Sequence, residues 1–168
     1  MSDGKVNFFR IQDLPNVELY QTNGVSRAVP RHVHSVFSDS VTTSGVRYHE
    51  TRKGKYRVPP GAIQIVNIDE MHSSMPSDVP STTRALRLLP EYLSSSLVEI
   101  TGRRDGMILI RQPVIEDWDL AGRILNLQSI LETSYSRLEK EVQLLAVFSQ
   151  LYDRYCTEHN PSFRMGKE

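Results

Sequence analysis

The chain has 168 residues, 20 basic and 20 acidic, with a formal net charge of zero and 39% hydrophobic residues. That length suits one compact domain, or one domain with an appendage, and the composition is too apolar for global disorder. The charge balance excludes a protein that holds nucleic acid by electrostatics alone, the single cysteine (Cys156) excludes an internal disulfide, and there is no apolar stretch of about 18 residues for a membrane helix.

In chain order, the first half is rich in Pro, Gly, Ser, Thr and Val. Its apolar residues alternate or form short runs. The spacing predicts strands over Val17–Thr22, Val33–Thr43, Gly45–Arg52, Lys55–Val58, Ala62–Ile68 and Thr83–Leu89. Turn signals separate them at Gly24, Ser44-Gly45, Lys53-Gly54, Pro59-Pro60-Gly61 and Pro76. Many short strands with regular breaks read as a sandwich or small barrel. The basic clusters Arg52-Lys53-Gly54-Lys55 and Arg103-Arg104 read as solvated turns.

Near residue 90 the pattern turns helical. Pro90 suits a first helical turn, and Gly102 would end a helix over Glu91–Thr101. Asp117 is the expected N-cap of a helix to about Thr133, with Leu120, Ile124, Leu127 and Leu131 on one face. Ser136-Arg137-Leu138-Glu139 reads as a capping box opening a helix to about Tyr155. That last helix carries two apolar stripes. One holds Leu138, Val142, Leu145 and Tyr152; the other holds Leu144, Val147, Phe148, Leu151 and Tyr155. One stripe suffices to dock a helix on its own sheet. The second calls for another partner, either the neighbouring helix or a second copy of the chain.

Three histidines carry the functional signal: His32 and His34 at i and i+2, then His72. The pair shares one face of a strand, and if that strand is regular the same face carries Val36, Ser38, Ser40 and Thr42. An interior of Ser, Thr and His is reasonable around water or a polar ligand, such as a sugar or small acid. The opposite face carries Phe37, Asp39, Val41 and Thr43. The histidine face is expected to point inward, and a β-bulge would reverse the assignment. Arg47 is expected at the surface. Turned inward, it would select a carboxylate or phosphate. Trp118 is expected to anchor helix to barrel.

Pro30-Arg31-His32-Val33-His34, Gly45, the run Pro59-Pro60-Gly61-Ala62-Ile63-Gln64-Ile65-Val66 and His72 resemble the N-terminal sensor domain of AraC-type transcription regulators. Pro90-Glu91-Tyr92-Leu93, Gln112-Pro113-Val114-Ile115, Asp117 and the closing Leu138-Glu139, Leu144 and Leu151 extend the likeness. The resemblance implies a mainly β chain: a cupin-like double-stranded β-helix (jelly roll) followed by an antiparallel helical hairpin. It divides the chain into a sensor barrel over residues 1–89, a helical dimerisation region over 90–158, and a polar tail over 159–168. It implies an effector-sensing, dimerising regulatory domain. The residues after Tyr155 cannot hold a helix-turn-helix, so DNA would be reached only through a domain absent from this chain.

The expected ligand-binding set is His32, His34, Ser38, Ser40, Thr42, Arg47 and His72. The expected dimerisation set is Leu138, Val142, Leu144, Leu145, Phe148, Leu151 and Tyr152. No cofactor, catalytic residue or membrane contact is expected, and the location is expected to be cytoplasmic. The alternatives are a metal-dependent cupin enzyme (a dioxygenase or isomerase) or a stand-alone sugar-binding cupin. A metal would use His32, His34 and His72, with Asp39 an imperfect carboxylate on the wrong parity and His49 not placed nearby.

Overall fold

The structure, a computed structural model, describes residues 4–104 and 108–156. The expected polar tail over 159–168 lies outside the described residues. Two antiparallel sheets pack face to face. One has six strands in the order β1(Lys5–Ile11), β2(Leu14–Val25), β9(Ser81–Leu88), β4(Phe37–Ser44), β7(Ile63–Val66), β10(Val114–Ile115). The other has four, in the order β3(Val29–His32), β8(His72–Met75), β5(Arg47–Thr51), β6(Gly54–Val58). Three helices follow: α1(Pro90–Thr101), α2(Trp118–Thr133) and α3(Arg137–Tyr155). This is the jelly roll with C-terminal helices that the resemblance implies.

The helix signals act as the sequence predicts. The Asp117 carboxylate accepts from the Leu120 N–H, and the Ser136 hydroxyl accepts from Glu139 N–H. Glu139 does not reach back to Ser136 directly. Its carboxylate accepts from the Ser134 hydroxyl, which in turn accepts from the Ser136 N–H. Gly102 closes α1 at φ +70, its N–H bonding to the Val98 carbonyl.

The strand reading needs three corrections. Residues 5–11 form a strand, paired with β2 from Lys5↔Asn23 to Ile11↔Leu14. Most of this edge strand is exposed on both faces, so it has no apolar alternation to read. The expected single strand over Val33–Thr43 is broken. β3 lies in the four-stranded sheet and β4 in the six-stranded one, so the chain crosses between sheets at residues 33–36. His72-Ser73-Ser74-Met75, over which the spacing predicts no strand, is strand β8, paired on both sides with β3 and β5. Pairing overrides the weak strand preference of its serines.

The main apolar core lies outside the barrel. Val17 and Leu19 (β2), Phe37 and Val41 (β4), Ile63 and Ile65 (β7), and Leu86 and Leu88 (β9) share the outer face of the six-stranded sheet. They are buried with Leu93 and Leu97 (α1), Leu120, Ile124, Leu127 and Leu131 (α2), and Leu144, Phe148 and Leu151 (α3). Each side chain so buried contributes roughly 1.5–3 kcal/mol. Sheet and helices therefore share one core. A partly buried ion pair, Lys140 Nζ to Asp13 at 2.9 Å, ties α3 to the β1–β2 turn. Trp118, expected as an anchor, is 70% exposed and meets the Pro59-Pro60-Gly61 turn where its indole lies over Gly61: a Cβ there (φ +83) would stand 1.9 Å from the ring.

Candidate functional site

The inner face of the six-stranded sheet is unlike its outer face. Alternation sends Tyr20, Ser38, Ser40, Gln64, Thr83 and Arg87 toward the four-stranded sheet, opposite Arg47, His72 and Ser74. Together with Val29, His32, His34, Val66 and Ala85 they line a chamber of about 270 Å³. Its wall is polar, and the apolar core lies on the other side of the sheet. Larger hollows exist. In the one of about 840 Å³ between β1 and the α2–α3 link, Lys140 is paired with Asp13 at 2.9 Å and Gln21 with Glu132 at 2.6 Å.

The three imidazoles meet at the chamber. Ring centroids are 4.2 Å apart for His32 and His72, 4.9 Å for His34 and His72, and 6.0 Å for His32 and His34. Exposure falls from His32 through half-buried His34 to buried His72. Each ring is fixed in the same way. Nδ1–H of His32 donates to the Pro30 carbonyl (2.8 Å), that of His34 to Val36 (2.9 Å) and that of His72 to Glu70 (2.9 Å). A carbonyl can only accept, so each Nδ1 carries a hydrogen and Nε2 is the ring nitrogen left for another partner. Desolvation pushes the pKa of His34 down and that of His72 to about 4. The turn after β7 clasps this group. The Asp69 N–H bonds to the His34 carbonyl, and the Asn67 carboxamide bonds both ways to the backbone of Ile110.

One ring nitrogen from each of these histidines lies within 4.8 Å of the other two. The chemistry of the set fits a divalent transition metal. Each imidazole donates Nδ1–H to a carbonyl, which is how protein ligands of zinc, nickel or iron are commonly oriented. His32, His34 and His72 are the residues that would hold it. Asp39 does not join them: it faces the helices, on the opposite side of β4.

Not every expected site residue reaches the chamber. Thr42 is buried but does not line it; its backbone bonds to Gly61 and Ala62 beneath. Arg47, expected at the surface, turns inward. Its Nη2 donates to Ser74 Oγ at 2.8 Å, while its Nε is shut off from solvent with no partner. His49, expected elsewhere, lies fully buried with its ring 5.8 Å from His72 and neither nitrogen partnered. Desolvation, with His72 and Arg47 beside it, pushes its pKa to about 3. Tyr20, Gln64, Ser74, Thr83 and Arg87 were missed. The alternation Thr83-Ala85-Arg87 against Arg84-Leu86-Leu88 in β9 is the signal that would have found three of the lining positions.

The expected dimerisation set divides. Leu144, Phe148, Leu151 and Tyr152 are buried in the chain's own core, so they present nothing to a partner. Leu138 and Val142 are 70% and 54% exposed, and Leu145 is half-buried beside them.

A family model described as the AraC-like ligand binding domain matches residues 14–165. The chain is also similar to an uncharacterized HTH-type transcriptional regulator, YbfI, of Bacillus subtilis (strain 168). The two are 23% identical over 141 residues, covering 83% of this chain and 51% of the regulator. The chain thus spans about half the length of the curated relative it matches. Similar solved structures include the cupin domain of an XRE family transcriptional regulator from Enterobacter cloacae, 14% identical with a TM-score of 0.45 over 53% of this chain and 99% of that one. AerE from Microcystis aeruginosa is 11% identical with a TM-score of 0.49 over 67% and 46%.

Proposed function

The chain belongs to the AraC-like ligand binding domain family, and from that premise we propose that it is the effector-sensing part of an AraC-type transcription regulator and not an enzyme. The observation that carries this reading is the chamber. A chamber lined by polar side chains, open to solvent beside His32 and set apart from the apolar core, suits a polar guest that replaces the water along its wall. Its volume of about 270 Å³ suits a small guest, below the range of drug-sized sites that starts at roughly 300 Å³. A guest touching both sheets favours whichever spacing of the sheets it fits. The six-stranded sheet bears the helices on its other face, so that preference reaches α3. The exposed Leu138 and Val142 supply the surface through which two copies pair. DNA would be bound by another part of the regulator.

The experiment is a thermal-shift screen of small sugars and acids against the wild type and Ser40→Leu, which fills the chamber. A compound that raises the wild-type midpoint by about 3 °C or more should leave the variant unmoved. Stabilisers that act equally on both would place binding elsewhere.

One observation favours a second reading, a metal-holding pocket: all three Nδ1 positions are fixed by carbonyls, and one ring nitrogen from each histidine lies within 4.8 Å of the other two. A bound metal would supply Lewis acidity and a template for a guest. Metal analysis of the purified protein tests it. Stoichiometric zinc, nickel or iron, lost in His72→Ala, supports the reading; metal-free protein that takes up none on addition rejects it.

A further inference from the structure

The sensing reading leaves the effector's chemistry open, and the chamber's own groups narrow it. Resting on that reading, we infer that the effector is a small hydroxy acid, its oxyanion held by the Arg47 guanidinium and its hydroxyl group held by the histidine cluster.

Arg47 carries the first half of the argument. It lines the chamber from β5, with one guanidinium nitrogen on Ser74 Oγ at 2.8 Å and its Nε without an acceptor. A guanidinium offers five donors in a planar fork, so most of them are unused here. No carboxylate lines the chamber among the described residues. The nearby acids are engaged elsewhere: Glu50 accepts from the Ser73 hydroxyl at 2.9 Å, and Glu18 sits 3.8 Å from Arg87. A desolvated cation with no counter-ion is costly, and an entering oxyanion removes that cost while matching the fork.

The histidines carry the second half. With Nδ1–H held by a carbonyl and the ring partly or wholly buried, His34 and His72 present Nε2 as an acceptor, which repels an anion and welcomes a hydroxyl donor. The two ends are spaced by the strand itself. Ser74, which marks the Arg47 end, and His72 are two residues apart on β8, so the oxyanion and hydroxyl sites are separated by roughly 7 Å. A neutral sugar satisfies only the imidazoles, and a plain fatty acid satisfies only the arginine.

The test is a thermal-shift and calorimetric titration of the purified protein at fixed ionic strength. Gluconate, galacturonate and malate are the hydroxy acids, hexanoate the acid without hydroxyls, and glucitol the polyol without charge. At least one hydroxy acid should saturate, binding at least tenfold more tightly than hexanoate and glucitol. Arg47→Met should abolish that preference, and Arg47→Lys should weaken it without abolishing it. Without solute, Arg47→Met should melt no lower than the wild type, because it removes a cation that lacks a counter-ion. A fall in that melting midpoint would make Arg47 a structural residue and overturn the inference. So would a hydroxy-acid response that survives Arg47→Met, or silence from all three hydroxy acids. Saturation by glucitol alone overturns the acid class but leaves the sensing reading standing. Silence from every solute in this panel and in the broader screen removes both.

Discussion

Asp39 shows how one side chain's environment is decided by parity. It faces the helices from β4, next to Ile65 and Leu86 across the sheet, and is buried with Oδ1 unpartnered. Desolvation raises its pKa from 3.8 to about 7, against one backbone hydrogen bond at Leu86. Between those values the folded chain keeps a proton that the unfolded chain has lost. The group therefore lowers stability as pH rises through that window, and its cost levels off above about pH 7. Asp39→Asn should gain stability over the wild type at pH 8, by at most about 4 kcal/mol, and gain almost nothing at pH 4. Urea midpoints at the two values check the sign. Gly61 is a second such position. Its Cβ would collide with Trp118, and its φ of +83 is one that side chains disfavour. Gly61→Ala should cost roughly 1–3 kcal/mol, and adding Trp118→Ala should recover the collision but not the backbone share. Costs that simply add would place the indole elsewhere. At this scale the sequence was partly legible. Spacing sets His32 and His34 on one strand face, and the family resemblance adds His72 to them. The inward turn of Arg47 and the approach of His49 were not visible, because β5 has polar residues on both faces and alternation has nothing to sort.

Elements were most legible where a cap marks them. Pro90, Gly102, Asp117 and Ser136 each fix a helix end through one local hydrogen bond or one backbone angle, and such bonds involve only neighbouring residues. Strands β1 and β8 were not legible because pairing made them, and pairing partners lie far along the chain. The same contrast explains α3. Its two stripes were readable from spacing, but only the packed structure tells which is covered. Leu151 is 1% exposed within the chain's core, whereas Leu138 and Val142 face outward. Leu151→Glu should therefore unfold the domain, at a cost on the order of 4 kcal/mol or more. Leu138→Glu with Val142→Glu should leave the fold intact and shift the chain to a monomer by light scattering. An unchanged mass in the double variant would exclude this face as the pairing surface.

At the scale of the whole molecule, the six-stranded sheet separates two environments. Its outer face, Asp39 apart, is apolar and packed against three helices; its inner face is polar and lines a cavity. The division follows from period-two alternation in β2, β4, β7 and β9, each of which sends one set of residues to the core and the other to the chamber. Guest and helices thus sit on opposite faces of one layer, and this shared layer lets occupancy of the chamber bias α3. The central claim is that the guest sits among the imidazoles. The most direct measurement is the long-range 1H–15N spectrum of the five histidine rings during titration with any solute that stabilises the chain. The account predicts Nδ1-protonated rings for His32, His34 and His72 at the start, and saturable shifts of their Nε2 resonances as the solute is added. A stabilising solute that leaves those three rings unmoved would contradict it.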